Sequence, residues 1–426
     1  MDFNYQNQRN EFRETRNLIP DGVSTLSKMP NKYVDGLYPI YIDRGDGCHI
    51  YSGDREWIDY PLGLGAIVLG HNMEDINRAV VTQMRNGTLF PCPNKLETQL
   101  AQKLSTLIPS CEMLRYVKTG SEACQAAVRI ARAYTSKNII CCSGYHGWHD
   151  WYTISTPKNQ GIPYILNKYI KRFEHGNIEE ITKIIKRGKD IAAVMIEPYI
   201  YGETKKEYLI QLRNLCKSHN ILLIFDEVVT GFRTLGYSAQ KYFDVMPDMS
   251  CFGKAMGNGI PVGFVCGKKK YMEVLQGDCF VSSTFGAELI GISAALAVLR
   301  YMEDRGVIEH IWEMGKMLKD GFNNEAAGLG ISAEVECQGL PCRTYFKFPS
   351  SVHKSLFWQY CIKNGVFFGH AQFISYCHGL NEIHKTLEVC RQALSFVKAN
   401  WESPEKALEG IPAAEVFRMT ALEKKE

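Results

Sequence analysis

Ile224 to Arg233 reads IFDEVVTGFR, and with Ile221-Leu222-Leu223 before it a wholly apolar run ends in two adjacent carboxylates, Asp226 and Glu227. A short apolar run without polar alternation is the pattern of a strand covered on both faces. Strand side chains alternate in direction, so Asp226 and Glu227 point opposite ways and have separate tasks. A buried carboxylate is costly unless something pairs with it. One of the two is therefore expected to face a ligand while the other ties down a loop. Asp226 suits a protonated pyridine nitrogen; a capping aspartate or a metal-binding carboxylate are the alternatives.

The pattern extends on both sides of this run. Ile191 to Ile196 (IAAVMI) and Asn138 to Cys142 are further apolar strands, and Ser121 to Thr135 carries Ala, Val and Ile at helical spacing. Strand and helix alternate from about residue 70 to 287. That alternation implies an α/β fold with a mainly parallel sheet flanked by helices, and ligands gathered where strands end. The Gly- and Asp-punctuated stretch from Pro39 to Asp59 reads as a small antiparallel sheet. Three segments are expected: residues 1–69, which contribute to a smaller α+β domain; 70–288, the large domain; and 289–426, which complete the smaller one.

Four further segments carry chemistry. In CFGKAMGNGIPVG, Cys251 to Gly263, Lys254 lies in a glycine-rich turn after an apolar segment. Glycines let the backbone approach a flat ligand, and a lysine in a dry or cationic site becomes able to form a Schiff base. A structural lysine neutralising Asp226 or Glu227 is the alternative. In VKTGSEACQAAVRIARAYT, Val117 to Thr135, a strand runs through Thr119-Gly120-Ser121 directly onto a helix. The helix start and the Ser121 hydroxyl form an anion site, although an ordinary N-cap also explains them. In GYHGWHDWY, Gly144 to Tyr152, aromatic side chains and two histidines crowd a strand end, where Tyr145 or His146 can stack on a ring. No third metal ligand lies near His146 and His149, and no metal is expected. Glu197-Pro198 closes another strand.

Composition narrows the class. The 426 residues carry a net charge of only +3 and are 45% hydrophobic, which gives no reason to expect nucleic acid or an anionic membrane as partner. Fifteen scattered cysteines without a C-x-x-C spacing fit free thiols in a reducing compartment. The start MDFNYQNQRNEFRETRN is polar and charged, with no hydrophobic stretch of signal-peptide length, and no run reaches membrane-span length. A cytoplasmic protein is expected.

Taken in order, TGSEA with RIARAYT, GYHGWHD, MIEP, IFDEVVTGFR, FGKAMGNGIPVG, SSTFGAE and FISYCH resemble the class III pyridoxal 5′-phosphate (PLP)-dependent aminotransferases of fold type I. Within the class the chain resembles glutamate-1-semialdehyde 2,1-aminomutases and aminotransferases of surface-polysaccharide pathways. The resemblance implies PLP as cofactor, a small-molecule amino donor and a carbonyl acceptor, and a homodimer with its site at the subunit boundary. It implies that Lys254 holds PLP and moves the substrate proton, and that Asp226 pairs with the pyridine nitrogen. Gly120 and Ser121 would bind the phosphate, and Thr284 would reach the neighbouring subunit's phosphate. Tyr145, with His146 adjacent, would stack on the ring; Val228 would pack on its other face; and Glu197 would support the strand-end loop.

Two departures bear on substrate. Lys28 stands where the aminomutase has an arginine for the substrate carboxylate, and lysine is a poorer bidentate clamp. Tyr199 to Glu203 reads YIYGE where the aminomutase has small residues. Both weaken the case for glutamate-1-semialdehyde as substrate and leave the aminotransferase reading untouched. An aldehyde or keto group of a small metabolite, with a sugar-derived one among the options, is the expected acceptor, and the mutase is the alternative. A PLP-fold binding protein without turnover and a racemase are the remaining readings.

Overall fold

The computed structural model describes residues 4–200 and 204–414. It divides into two compact units: residues 74–308, and residues 1–73 with 309–426.

The larger unit is built on seven strands: β1 (Met113–Val117), β2 (Ile139–Ser143), β3 (Ile170–Arg172), β4 (Ile191–Ile196), β5 (Leu222–Asp226), β6 (Met249–Phe252) and β7 (Gly263–Gly267). Their order across the sheet is β1-β7-β6-β5-β4-β2-β3. Only β7 is antiparallel to its neighbours, pairing Gly263 with Val117 of β1 and Phe264 with Phe252 of β6. The apolar runs account for this: every residue of β4, β5, β6 and β7 is buried.

Six helices serve the argument: α1 (Glu74–Asn86), α2 (Lys95–Leu107), α3 (Gly120–Thr135), α4 (Ile178–Arg187), α5 (Lys206–Ser218) and α6 (Leu289–Arg305). In α3, the Thr119 side chain caps the Glu122 amide while the Glu122 carboxylate reaches back to the Thr119 amide. This reciprocal box satisfies donors that a helix start leaves open. Ala123, Cys124, Ala127, Val128, Ile130 and Ala131 of α3 are buried in the core beneath β1 to β7. Truncating Ile130 to alanine there costs about 2–5 kcal/mol.

The boundaries differ from expectation at the C-terminal side. Helix α6 belongs to the larger unit, because it packs on α1 and α2 rather than opening the smaller domain. Nine residues of α6 are buried, which explains its apolar sequence.

In the smaller unit, strands Arg44–Asp46, His49–Ser52 and Arg55–Asp59 form an antiparallel sheet that Val366–Phe367 joins in parallel from the C-terminal segment. A second sheet joins Glu336–Leu340, Arg343–Lys347 and Gln372–Phe373. Phe322, Phe346, Phe357 and Phe368 pack as stacked and edge-on rings in its core. All fifteen cysteines are free. Among the described residues no helix is long and apolar enough to cross a membrane.

Candidate active site

Strand register gathers the expected residues along one edge of the large sheet. Asp226 ends β5 and pairs with Cys251 of β6, and Lys254 follows two residues after β6 ends at Phe252. Beyond β7, β1 ends at Val117 and the chain turns through Thr119 into α3. A Cβ placed on Gly253 would lie 3.8 Å from the Gly120 nitrogen, and one on Gly263 only 2.8 Å from the Phe252 carbonyl oxygen and 3.6 Å from the Thr119 carbonyl. The turn carrying Lys254 therefore runs against the start of α3. Lys254 is half-buried and has φ of 48°, a left-handed conformation that costs a non-glycine residue about 1–3 kcal/mol. Strain of this kind persists where the surroundings fix a side chain's direction.

Asp226 is held by three elements. The His146 Nδ1–H donates to Oδ2 at 2.8 Å, the Cys124 thiol of α3 donates to the same oxygen at 3.3 Å, and the Val228 amide donates to Oδ1 at 3.1 Å. Cys124, His146 and Asp226 have their ligand-type atoms within 4.8 Å of one another. Burial pushes the Cys124 thiol far above its ordinary range, in keeping with a thiol that donates to Asp226.

Glu227 faces the other way, as strand alternation requires. Its carboxylate accepts from the Thr230 hydroxyl, the Ala239 amide, and the Gln240 amide and side chain, fastening the 230–240 loop. Burial pushes its carboxyl up to about 6, against these four donors.

At the start of α3, Ser121 Oγ lies 2.6 Å from His149 Nδ1 and accepts the Trp148 amide at 3.0 Å. Gly120 has no room for a side chain, since a Cβ would meet Val228 Cγ1 at 2.5 Å. The 144–149 loop is set by Glu197, buried beyond β4, whose carboxylate accepts the Tyr145 amide at 2.9 Å. Tyr145 itself is half-buried and meets Tyr152 edge to face at 5.7 Å.

Two placements correct the expectations. His146 was expected beside Tyr145 as a stacking residue; instead it is 1% exposed, with its second nitrogen 3.2 Å from the Ser143 carbonyl oxygen. Gly144 and Gly147, at φ of 110° and 93°, turn the loop after β2 on either side of Tyr145 and His146. The residues on Ser121 were missed as well, since Trp148 and His149 were weighed only as packing or metal ligands. Thr284 is exposed. Lys28 lies in the smaller unit, exposed at the end of a short 3₁₀ turn. Of the YIYGE departure, Tyr199 and Ile200 are buried, and Ile200 packs at Gly144, while residues 201–203 lie outside the described residues.

An acid, a lysine and a helix start thus share one strand-end edge. Residues 31–378 match the model of the class III aminotransferase family. The chain belongs to the class III aminotransferases. The 3-aminobutyryl-CoA aminotransferase of Cloacimonas acidaminovorans is 35% identical to this aminotransferase over 404 residues, covering 91% of this chain and 96% of that protein. The glutamate-1-semialdehyde 2,1-aminomutase of Archaeoglobus fulgidus is 32% identical over 419 residues, covering 91% and 99%. Among solved structures, the FumI protein of Sphingopyxis sp. MTA144, in its PLP internal aldimine form, superposes with a TM-score of 0.87 at 24% identity, covering 95% of this chain and 100% of that one. The glutamate-1-semialdehyde-aminomutase of Pseudomonas aeruginosa PAO1 has a TM-score of 0.81 at 15% identity, with 92% and 95% covered. These two likenesses carry the fold.

Class III aminotransferases use PLP, and the donor set here fits it. A carboxylate fixed by three donors suits a protonated ring nitrogen. The helix start with its hydroxyl suits a phosphate. A lysine on the strand-end turn between these elements is the kind of group that can form an imine with an aldehyde.

Proposed function

We propose that this class III aminotransferase moves an amino group from an amino-acid donor to the aldehyde or ketone of a small metabolite, with Lys254 as the residue that holds PLP covalently. The observation that carries this reading is the common edge on which Asp226, Lys254 and the start of α3 lie. Bound PLP supplies an electron-accepting ring, which stabilises negative charge at the substrate carbon losing its proton. Asp226 keeps the ring nitrogen protonated by ion pairing, its own rotamer fixed by His146 and Cys124. Lys254, once released from the cofactor, would be the base that takes the proton from substrate Cα. Gly120 and Ser121 hold the phosphate, aided by the dipole of α3. Tyr145 and Val228 would flank the ring of bound PLP, and Glu197 fixes the loop that carries Tyr145.

Two features support transfer over intramolecular migration of the amine: Lys28 in place of a bidentate arginine, and the bulky buried pair Tyr199 and Ile200 after Glu197-Pro198. The mutase is the second reading, favoured by several curated relatives that bear that name. We place the active unit as a homodimer in which Thr284 completes the neighbouring subunit's phosphate site, and a sugar-derived ketone or aldehyde is the acceptor class to test first.

The PLP-loaded enzyme is to be incubated with glutamate or alanine and followed by cofactor absorbance and release of keto acid. Stoichiometric keto acid supports transfer. Turnover of glutamate-1-semialdehyde without an amino donor overturns transfer for the mutase. Borohydride trapping at a residue other than Lys254 overturns both.

A further inference from the structure

The Ser121 hydroxyl is more heavily supported than a helix cap requires. Its oxygen accepts the Trp148 amide at 3.0 Å and lies 2.6 Å from His149 Nδ1. The loop that brings these groups is seated directly on Ser121: a Cβ on Gly147 would lie 2.1 Å from Ser121 Oγ and 2.8 Å from its Cα. The Trp148 indole stacks on the His149 ring, centroids 5.1 Å apart and planes 21° from parallel, which fixes the imidazole plane.

A hydroxyl has one proton to donate and two lone pairs. Trp148 takes one lone pair. If Ser121 donates to a bare His149 Nδ1, its proton is spent, and an arriving anion meets only oxygen lone pairs. If His149 Nδ1–H donates to Ser121 instead, both lone pairs are occupied and the hydroxyl proton is free to point at an anion. Only the second arrangement makes Ser121 a phosphate donor.

We infer that His149 is a positioning residue for the cofactor phosphate, acting through Ser121, and that phosphate binding moves its proton from Nε2 to Nδ1. The inference rests on the reading that Ser121 holds the PLP phosphate. The change is neutral in protons: water removes one from Nε2 and another delivers one to Nδ1, along a ring that is only half-buried. Burial lowers the proton affinity of His149. Glu122, Asp150 and Arg129 are the charged groups around it.

The test uses full-length, cofactor-free protein with ¹⁵N-labelled histidine, to which PLP or, separately, inorganic phosphate is added. The expected result is that His149 Nδ1 becomes the protonated nitrogen on adding PLP. His149→Ala should weaken PLP binding about tenfold and move the ³¹P resonance of the bound cofactor, an effect on the scale of one hydrogen bond to a charged group. His149→Asn keeps an N–H donor at the same reach and should bind PLP within about twofold of the parent. The inference is overturned if Nδ1 stays unprotonated with PLP bound, if His149→Ala binds PLP like the parent, or if His149→Asn is as impaired as His149→Ala. Ser121→Ala separates the two levels: if it leaves PLP affinity and the ³¹P resonance unchanged, the phosphate does not lie at Ser121 and the underlying reading fails with it. If Ser121→Ala weakens binding while His149→Ala does not, only the role of His149 is lost.

Discussion

His146 donates its Nδ1–H to Asp226 at 2.8 Å, and both side chains are at least 95% buried. The imidazole fixes the direction of the carboxylate, so that in the proposed site Asp226 would meet the cofactor already oriented. Replacing His146 by leucine leaves the carboxylate with one donor fewer in a site water does not reach. Urea unfolding should show a loss of about 1–3 kcal/mol, and kcat should fall while KM for the amino donor changes little. An unchanged kcat would detach His146 from the chemistry.

Lys254→Ala removes the proposed amine. Borohydride treatment of the PLP-loaded variant should leave no covalently labelled peptide, and turnover should fall on the order of a thousandfold, the range of a lost acid–base catalyst. Peptide mapping after reduction checks the first, and keto acid release the second.

Gly120 and Val228 form a contact whose test is reciprocal. A Cβ on Gly120 would fall 2.5 and 2.7 Å from the two Val228 methyls, closer than real atoms approach. Gly120→Ala should cost about 1–3 kcal/mol by overpacking and weaken PLP binding. Combining it with Val228→Ala should restore much of the stability, because the two methyls are the nearest atoms and the Val228 Cβ lies behind them at 3.2 Å. Additive losses in the double variant would show that the backbone at Gly120, and not Val228, sets the constraint.

Much of this arrangement was legible before any fold was known, and the reasons are local. The apolar run ending in Asp226-Glu227 has one economical reading, and alternation alone assigns the two acids to different faces. Thr119 and Glu122 announce a helix start by their spacing. The contact of His146 with Asp226 was not legible, because Gly144 and Gly147, both at positive φ, turn the loop in a way that residue order does not encode. The grip of His149 on Ser121 joins positions 28 residues apart and depends on how the loop after β2 folds over α3. Helix α6 was assigned to the wrong unit because its apolar face fits either core; its contacts with α1 and α2 decide the matter.

Glu227 makes a pH prediction. Burial raises its carboxyl to about 6 in the folded protein, from an ordinary value of 4.5. The folded state then binds more protons than the unfolded state between these values, so this group's contribution to stability declines as pH rises from 4.5 to 6. The shift corresponds to about 2 kcal/mol. Glu227→Gln lacks the titration: it should be less stable overall, since an amide cannot accept from all four donors, but its stability curve should be flatter through that window. Parallel urea titrations at several pH values give the comparison. Identical pH slopes for the two proteins would show that Glu227 ionises normally.

Thr284 bears on assembly. It is exposed on a loop flanked by Phe280 and Phe285, which are 70% and 59% exposed, large apolar rings that a partner would be expected to cover. If Thr284 serves the neighbouring subunit's phosphate, a carboxylate there repels that phosphate, and Thr284→Asp should abolish activity in the homodimer. Lys254→Ala is inactive for a different reason, and each chain retains what the other lacks. Mixed in equal amounts and allowed to exchange subunits, half the dimers become mixed, and each mixed dimer has one site with a native Lys254 and a native Thr284. Activity should therefore recover to about a quarter of the wild-type value. Sedimentation of the parent as a monomer, or mixtures that stay inactive despite demonstrated exchange, would place Thr284 outside any shared site.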